Sequence, residues 1–135
     1  KQNRQLFSAE IVWMAHRVGF KDDLTLIDNL RFENGLRSTT FAGIDGILRR
    51  LEISQLRNLP LRSLSAGQQR RVALARMLIS NAQLWLMDEP FTNLDANGEA
   101  LVIQLISDHM SKKGVCVLAT HRDIDLEVPV HRIQL

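Results

Sequence analysis

The sequence predicts an α/β domain built on a parallel sheet. Three short apolar runs alternate with stretches of helical periodicity, and each gap is long enough for a helical crossover. The runs lie at residues 11–15, 84–87 and 115–120 of a 135-residue chain. Two of the three end in acidic or polar side chains, at Asp88-Glu89 and Thr120-His121, as expected where strands deliver groups to one sheet edge.

The elements follow in order. Ile11-Val12-Trp13-Met14-Ala15 reads as a buried strand. Residues 25–34 read as a helix capped by Thr25, with Leu26, Ile27 and Leu30 on one side. Residues 38–51 read as a second helix, because Phe41, Ile44, Ile47, Leu48 and Leu51 repeat at the spacing of one face. Leu59-Pro60 breaks the chain. Residues 67–79 are helical again, with Val72, Ala75, Leu78 and Ile79 together. Leu84-Trp85-Leu86-Met87 is wholly apolar and predicts a strand buried on both faces. Residues 96–110 form a helix, which Lys112, Lys113 and Gly114 stop. Residues 115–120 predict another buried strand, and residues 131–135 a last edge strand.

Composition narrows the class. Hydrophobic residues make up 45% of the chain, enough for a core, and no run of apolar residues reaches membrane-spanning length. The polar start Lys1-Gln2-Asn3-Arg4-Gln5 leads into no apolar signal segment, and the absence of an initial Met suggests a fragment or a processed product. The net charge of +2 comes from dispersed, mostly Arg residues with 5% aromatics, which disfavours a nucleic-acid-binding stripe. The single Cys116 excludes an internal disulfide and reads as a core thiol within Val115-Cys116-Val117-Leu118.

Four constellations carry chemistry. Leu64-Ser65-Ala66-Gly67-Gln68 opens a helix, with Ser65 as cap and Gly67 leaving the backbone open to a ligand. The free amides and positive dipole end there suit a phosphate, although capping without a ligand is the commoner use. Asp88 and Glu89 end the second strand. Asp88 is suited to Mg²⁺ through a water, and Glu89 to orienting or deprotonating an attacking water. A polar turn closed by Pro90 is the plain alternative. Asp95, in Thr92-Asn93-Leu94-Asp95, is either part of the site or the cap of the next helix. His121, directly after the third strand, is placed to reach a γ-phosphate, or is surface.

Together, these motifs resemble the ABC ATPase family: a signature loop and helix (Leu64-Ser65-Ala66-Gly67-Gln68-Gln69-Arg70-Arg71-Val72-Ala73-Leu74-Ala75-Arg76), a Walker B strand ending in Asp88-Glu89-Pro90, a D-loop and a switch histidine. The resemblance covers essentially the whole chain. It implies the C-terminal part of a P-loop NTPase-like parallel sheet, with a small helical subdomain at about residues 20–64 and the signature, Walker B, D-loop and histidine core at 65–135. Within the family the chain is most similar to the ATP-binding subunits of the haem exporter of bacterial cytochrome c biogenesis. Three features carry that narrower likeness: Ala66 in place of the usual first signature glycine, a short insert between Gly19 and Leu64, and an end fourteen residues after His121.

The resemblance implies ATP and Mg²⁺ as ligands and hydrolysis of ATP coupled to transport. Ser65, Gly67 and Gln68 would contact ATP held by a second ATP-binding subunit in a head-to-tail dimer. Asp88 would serve the metal, Glu89 and His121 catalysis, and Asp95 the link between sites. Membrane-spanning subunits would be the further partners, at the cytoplasmic face of the bacterial inner membrane. An ABC ATPase of another transporter or of a non-transport process, or an inactive truncated remnant, are the competing readings.

Two departures stand out. None of the seven glycines precedes a lysine, so the chain holds no G-x-x-x-x-G-K-[ST] phosphate loop and is expected to be inactive alone. The family's Q-loop glutamine falls at Arg17, which has no acceptor with which to ligate a metal. Strand edges and apolar faces left uncovered predict poor solubility for the isolated piece.

Overall fold

The computed structural model describes residues 10–17, 19–37, 41–126 and 128–133. Its elements run β1 (Ile11–Met14), α1 (Leu26–Arg37), α2 (Ile44–Arg50), two single 3₁₀ turns (Ser54–Leu56 and Leu61–Ser63), α3 (Ala66–Ser80), β2 (Leu84–Asp88), α4 (Ala96–Ser111) and β3 (Val115–Ala119). The strands form one parallel sheet in the order β1-β2-β3. The α/β class with a parallel sheet is thus the observed one.

Three of the four helices, α1, α3 and α4, start where a side-chain cap supplies what the backbone lacks. Thr25 Oγ1 accepts from the Asp28 amide at 3.2 Å and donates to the Asp28 carboxylate at 2.7 Å, which begins α1 as expected. The buried Asn29 then ties the preceding loop, donating to the carbonyls of Lys21, Leu24 and Thr25. The second helix is shorter than its periodicity predicts. Residues 38–40 lie outside the described residues, and Gly43 takes the left-handed conformation (φ 79°) at the N-cap, so Phe41 packs from a turn rather than from the helix. The left-handed backbone at Gly43 cannot continue a right-handed helix, and α2 starts after it. At the end of α4 the left-handed residue is Lys113 (φ 66°) rather than Gly114.

Registers sort the sheet into two faces. Val12, Trp85 and Cys116 align on one, as do Met14, Met87 and Leu118; Trp13, Leu86 and Val117 align on the other. The first face lies under α3 and α4. Val12, Met14, Trp85 and Met87 are buried there, and the Trp85 ring stacks on His109 of α4 at 4.0 Å. Helix α3 sits between this face and α1 and α2, and buries Val72, Ala73, Leu74, Ala75 and Met77.

The opposite face corrects the sequence expectation. Neither β2 nor β3 is buried on both sides: β2 alternates between half-buried and buried, and β3 between exposed and half-buried. Trp13 is 61% exposed, Val115 56% and Val117 54%. Among the described residues no helix covers this face, so an apolar run that would be dry in a doubly covered sheet meets water. Residues 131–133 are irregular rather than strand, and residues 134–135 lie outside the described residues. Cys116 is half-buried on the covered face, with its Sγ 3.7 Å from Met87 Sδ.

Candidate functional site

The carboxyl ends of β2 and β3 bring four of the singled-out side chains together. Asp88 is the last residue of β2. Glu89 follows in the left-handed region (φ 47°), unusual for a non-glycine residue. Its amide donates to the Ala119 carbonyl at 2.8 Å, the last rung between the strands. That turn swings the Glu89 side chain back across the end of β3. One carboxylate oxygen accepts from the His121 amide at 2.9 Å, and the other from the Thr120 hydroxyl at 3.4 Å. The His121 Nε2 lies 3.6 Å from Glu89, while 98% of the imidazole is exposed. Among the described residues the Asp88 side chain makes no hydrogen bond or ion pair, which leaves a hard oxygen donor at the sheet edge. Behind them, Arg122 pairs with Glu99 at the start of α4, and that contact raises the Arg122 pKa.

The residues of the Ser65 loop assemble separately. Ser65 caps α3: its Oγ accepts from the Gln68 amide at 3.2 Å, while Gln68 Oε1 accepts from the Ser65 amide at 2.9 Å. This reciprocal box occupies the Gln68 side chain and leaves the amides of Ala66 and Gly67 without acceptors inside the helix. Gly67 is required by close approach as well. A Cβ there would lie 2.7 Å from the Asn93 carbonyl oxygen, in the turn between β2 and α4. Asn93 is itself left-handed (φ 63°). Among the described residues no hydrogen bond joins Ser65 or Gln68 to Glu89 or His121.

Asp95 is the N-cap of α4, accepting from the Gly98 amide at 2.8 Å, with Arg71 of α3 at 4.0 Å. Arg17 is exposed in the bend after β1. Sequence reasoning missed Arg70, which is only 4% exposed and donates to backbone carbonyls at the ends of both β1 and β2. It also missed Thr120 as a holder of Glu89. Neither residue type signals burial in a sequence; only the fold places them.

Two acids at a parallel-sheet edge, facing a histidine loop and followed by a capped helix, form a candidate site at the edge where open α/β sheets bind their ligands. The comparisons give it a family. The family model described as ABC transporter matches residues 1–92, and the chain belongs to that family. It is 38% identical over 128 residues to the cytochrome c biogenesis ATP-binding export protein CcmA of Aliivibrio fischeri, covering 94% of this chain and 63% of that protein. It is 36% identical over 135 residues to the protein of the same name from Escherichia coli K12, covering 99% of this chain and 64% of that one. The chain therefore spans somewhat under two thirds of the length of these relatives. Among solved structures, the ATP-binding subunit of an ABC transporter superposes with a TM-score of 0.79 at 18% identity, over 89% of this chain and 52% of that one. A dimeric post-hydrolysis ATP-binding cassette bound to ADP and Pi gives 0.77 at 23% identity, over 90% and 56%. These likenesses carry the fold.

Proposed function

We propose that this chain is the C-terminal part of the ATP-binding and ATP-hydrolysing subunit of an ABC exporter that serves cytochrome c biogenesis, with haem as the cargo. The observation that carries the reading is the Glu89 carboxylate, fixed by the His121 amide and Thr120 hydroxyl at the end of a parallel sheet. Similarity to export proteins of cytochrome c biogenesis supports the narrower assignment.

In this reading Glu89 is the general base that aligns and deprotonates the attacking water. Its two protein contacts fix the carboxylate without filling all of its acceptor sites. His121, exposed beside it, contacts the γ-phosphate. Asp88, whose carboxylate makes no hydrogen bond or ion pair among the described residues, suits Mg²⁺ through an intervening water; the ion would neutralise phosphate charge. Ser65, Gly67 and Gln68 present the start of α3 to ATP held by a second ATP-binding subunit. The absence, among the described residues, of hydrogen bonds between that loop and Glu89 fits two half-sites completed in a head-to-tail dimer. Asp95, at the turn that touches both halves, links them. In the same reading, residues from about 20 to 64 are the helical subdomain and 65–135 the signature, Walker B, D-loop and histidine core.

Membrane-spanning subunits are the remaining partners, and the dimer lies against the cytoplasmic face of the inner membrane. Among the described residues no helix is long and apolar enough to cross a membrane. The scattered arginines give no role to nucleic acid.

The test joins the coding sequence upstream of Lys1 to an assay of the full-length product. An in-frame phosphate loop and Mg-ATP turnover abolished by Glu89→Gln are expected. An absence of turnover overturns the ATPase assignment, and turnover that Glu89→Gln leaves untouched overturns the role of Glu89 as the base. Deletion of the gene is expected to leave c-type cytochromes without haem, and normal cytochromes would remove the cargo from the reading.

A further inference from the structure

Arg70 occupies an unusual position for a charged side chain. It lies on α3, five residues past the Ser65 cap, and is 4% exposed. Its Nη1 donates to the carbonyls of Ala15 at 3.1 Å and His16 at 3.4 Å. Its Nη2 donates to the carbonyls of Asp88 at 3.1 Å and of Glu89. The last rung between β1 and β2 is Met14 with Met87. Beyond it the two strands have no ladder left to pair them. One guanidinium gathers the next carbonyls of both, holding the strand ends in register after their own hydrogen bonding stops.

Core packing does not require this charge. Burying a guanidinium is costly, an apolar side chain of similar volume often serves a core as well, and here Nε is buried without a hydrogen-bond partner among the described residues. Burial lowers the Arg70 pKa, while the nearby Asp88 and Glu89 charges oppose that shift. What the planar fork alone supplies is a fixed direction for two successive carbonyls, those of Asp88 and Glu89. Fixing them matters because Glu89 is held at φ 47°, a conformation that persists only where surroundings over-determine it.

We propose that Arg70 is a positioning residue for ATP hydrolysis: it clamps the strained 88–89 backbone so that the Glu89 carboxylate meets His121, and it ties that backbone to the segment after β1 that carries Arg17. This rests on the ATPase reading above. The clamp makes the orientation of the base depend on the loop after β1, so a displacement of Ala15 or His16 is felt at Glu89 through one side chain.

The test uses the full-length protein containing this chain, with turnover expressed per bound nucleotide so that misfolded molecules do not count. Arg70→Gln is expected to cut turnover roughly 10- to 100-fold, the scale of a small misplacement at a reacting group. The KM for ATP should be unchanged. Arg70→Lys keeps the charge and some donors but loses the fork, so it should recover part of the rate. Wild-type turnover in Arg70→Gln, or Arg70→Lys no better than Arg70→Gln, overturns the proposal. If Arg70→Gln does not fold, Arg70→Lys decides: reduced kcat at unchanged KM supports the clamp, and wild-type kcat refutes it. Glu89→Gln separates the two readings. No turnover by the wild-type protein removes the ATPase assignment, and turnover surviving Glu89→Gln removes Glu89 as its base, whereas an inactive Glu89→Gln beside a fully active Arg70→Gln removes only the clamp.

Discussion

The amide of His121 donates to the Glu89 carboxylate at 2.9 Å, so the loop after β3 holds the acid after β2 through its backbone. The imidazole is a separate matter: it reaches no closer than 3.6 Å to Glu89 and is almost wholly exposed. Deleting the ring therefore leaves the carboxylate's main support in place.

That separation predicts a split phenotype for His121→Ala in the full-length protein. Unfolding free energy should move by no more than about 0.5 kcal/mol, as for other surface changes. Turnover should fall by about 10²-fold, the usual scale for removing one group that stabilises transition-state charge. Chemical denaturation and a steady-state ATPase assay measure the two. Equal loss in both would mean that the ring supports the fold instead.

How much of this was legible beforehand depends on where each signal resides. Ser65 as a cap and Glu89 as a strand-end acid are local features, and periodicity or capping chemistry announces them. Gly43 illustrates a local signal that was outweighed: the apolar repeat from Phe41 to Leu51 reads as one helix, yet a left-handed residue starts it late. Arg70 and the exposure of Val117 are tertiary facts. An arginine on a helix looks the same whether it meets water or four carbonyls, and an apolar strand looks the same whether one face or two are covered.

Gly67 carries a prediction about packing. A Cβ at 2.7 Å from the Asn93 oxygen meets backbone, which cannot swing away as a flexible side chain does. Gly67→Ala should cost about 1–3 kcal/mol, typical of overpacking, with no nucleotide present. Urea unfolding of the full-length protein gives the number. An unchanged midpoint would leave Gly67 with a ligand-facing role only.

The cap at Ser65 predicts a coupled pair. Ser65→Ala should cost about 1 kcal/mol, because one first-turn amide loses its acceptor. Gln68→Ala removes the reciprocal bond. As the two share one box, the double variant should cost less than the sum of the singles, and a double-mutant cycle reads the difference. Simple additivity would show that the box does not act as a unit.

Burial pushes the Cys116 thiol up to about 11. The neutral thiol is thus the form the fold favours. Stability is fully present below the unfolded thiol pKa, roughly 8.5, and is lost as pH rises toward the folded value. Alkylation by iodoacetamide should be slow at pH 8 in the native protein and fast after unfolding, since the thiolate is the nucleophile. Native labelling as fast as that of the unfolded chain would contradict the burial.

The uncovered sheet face makes the last prediction. Trp13, Val115 and Val117 stand on one side of the sheet, and β3 has no strand on its outer side among the described residues. Exposed apolar area beside an open strand edge favours association, because the edge of β3 offers a row of backbone donors and acceptors to another chain. The isolated 135-residue chain should therefore self-associate at micromolar concentration and show no ATP turnover, having no phosphate loop. Val115→Thr with Val117→Thr keeps β-branched shapes suited to a strand while making the face more polar. That pair should shift sedimentation toward monomer without restoring turnover. A wild-type chain that sediments as a monomer would refute self-association through this face, and turnover by it would show that the phosphate loop is dispensable.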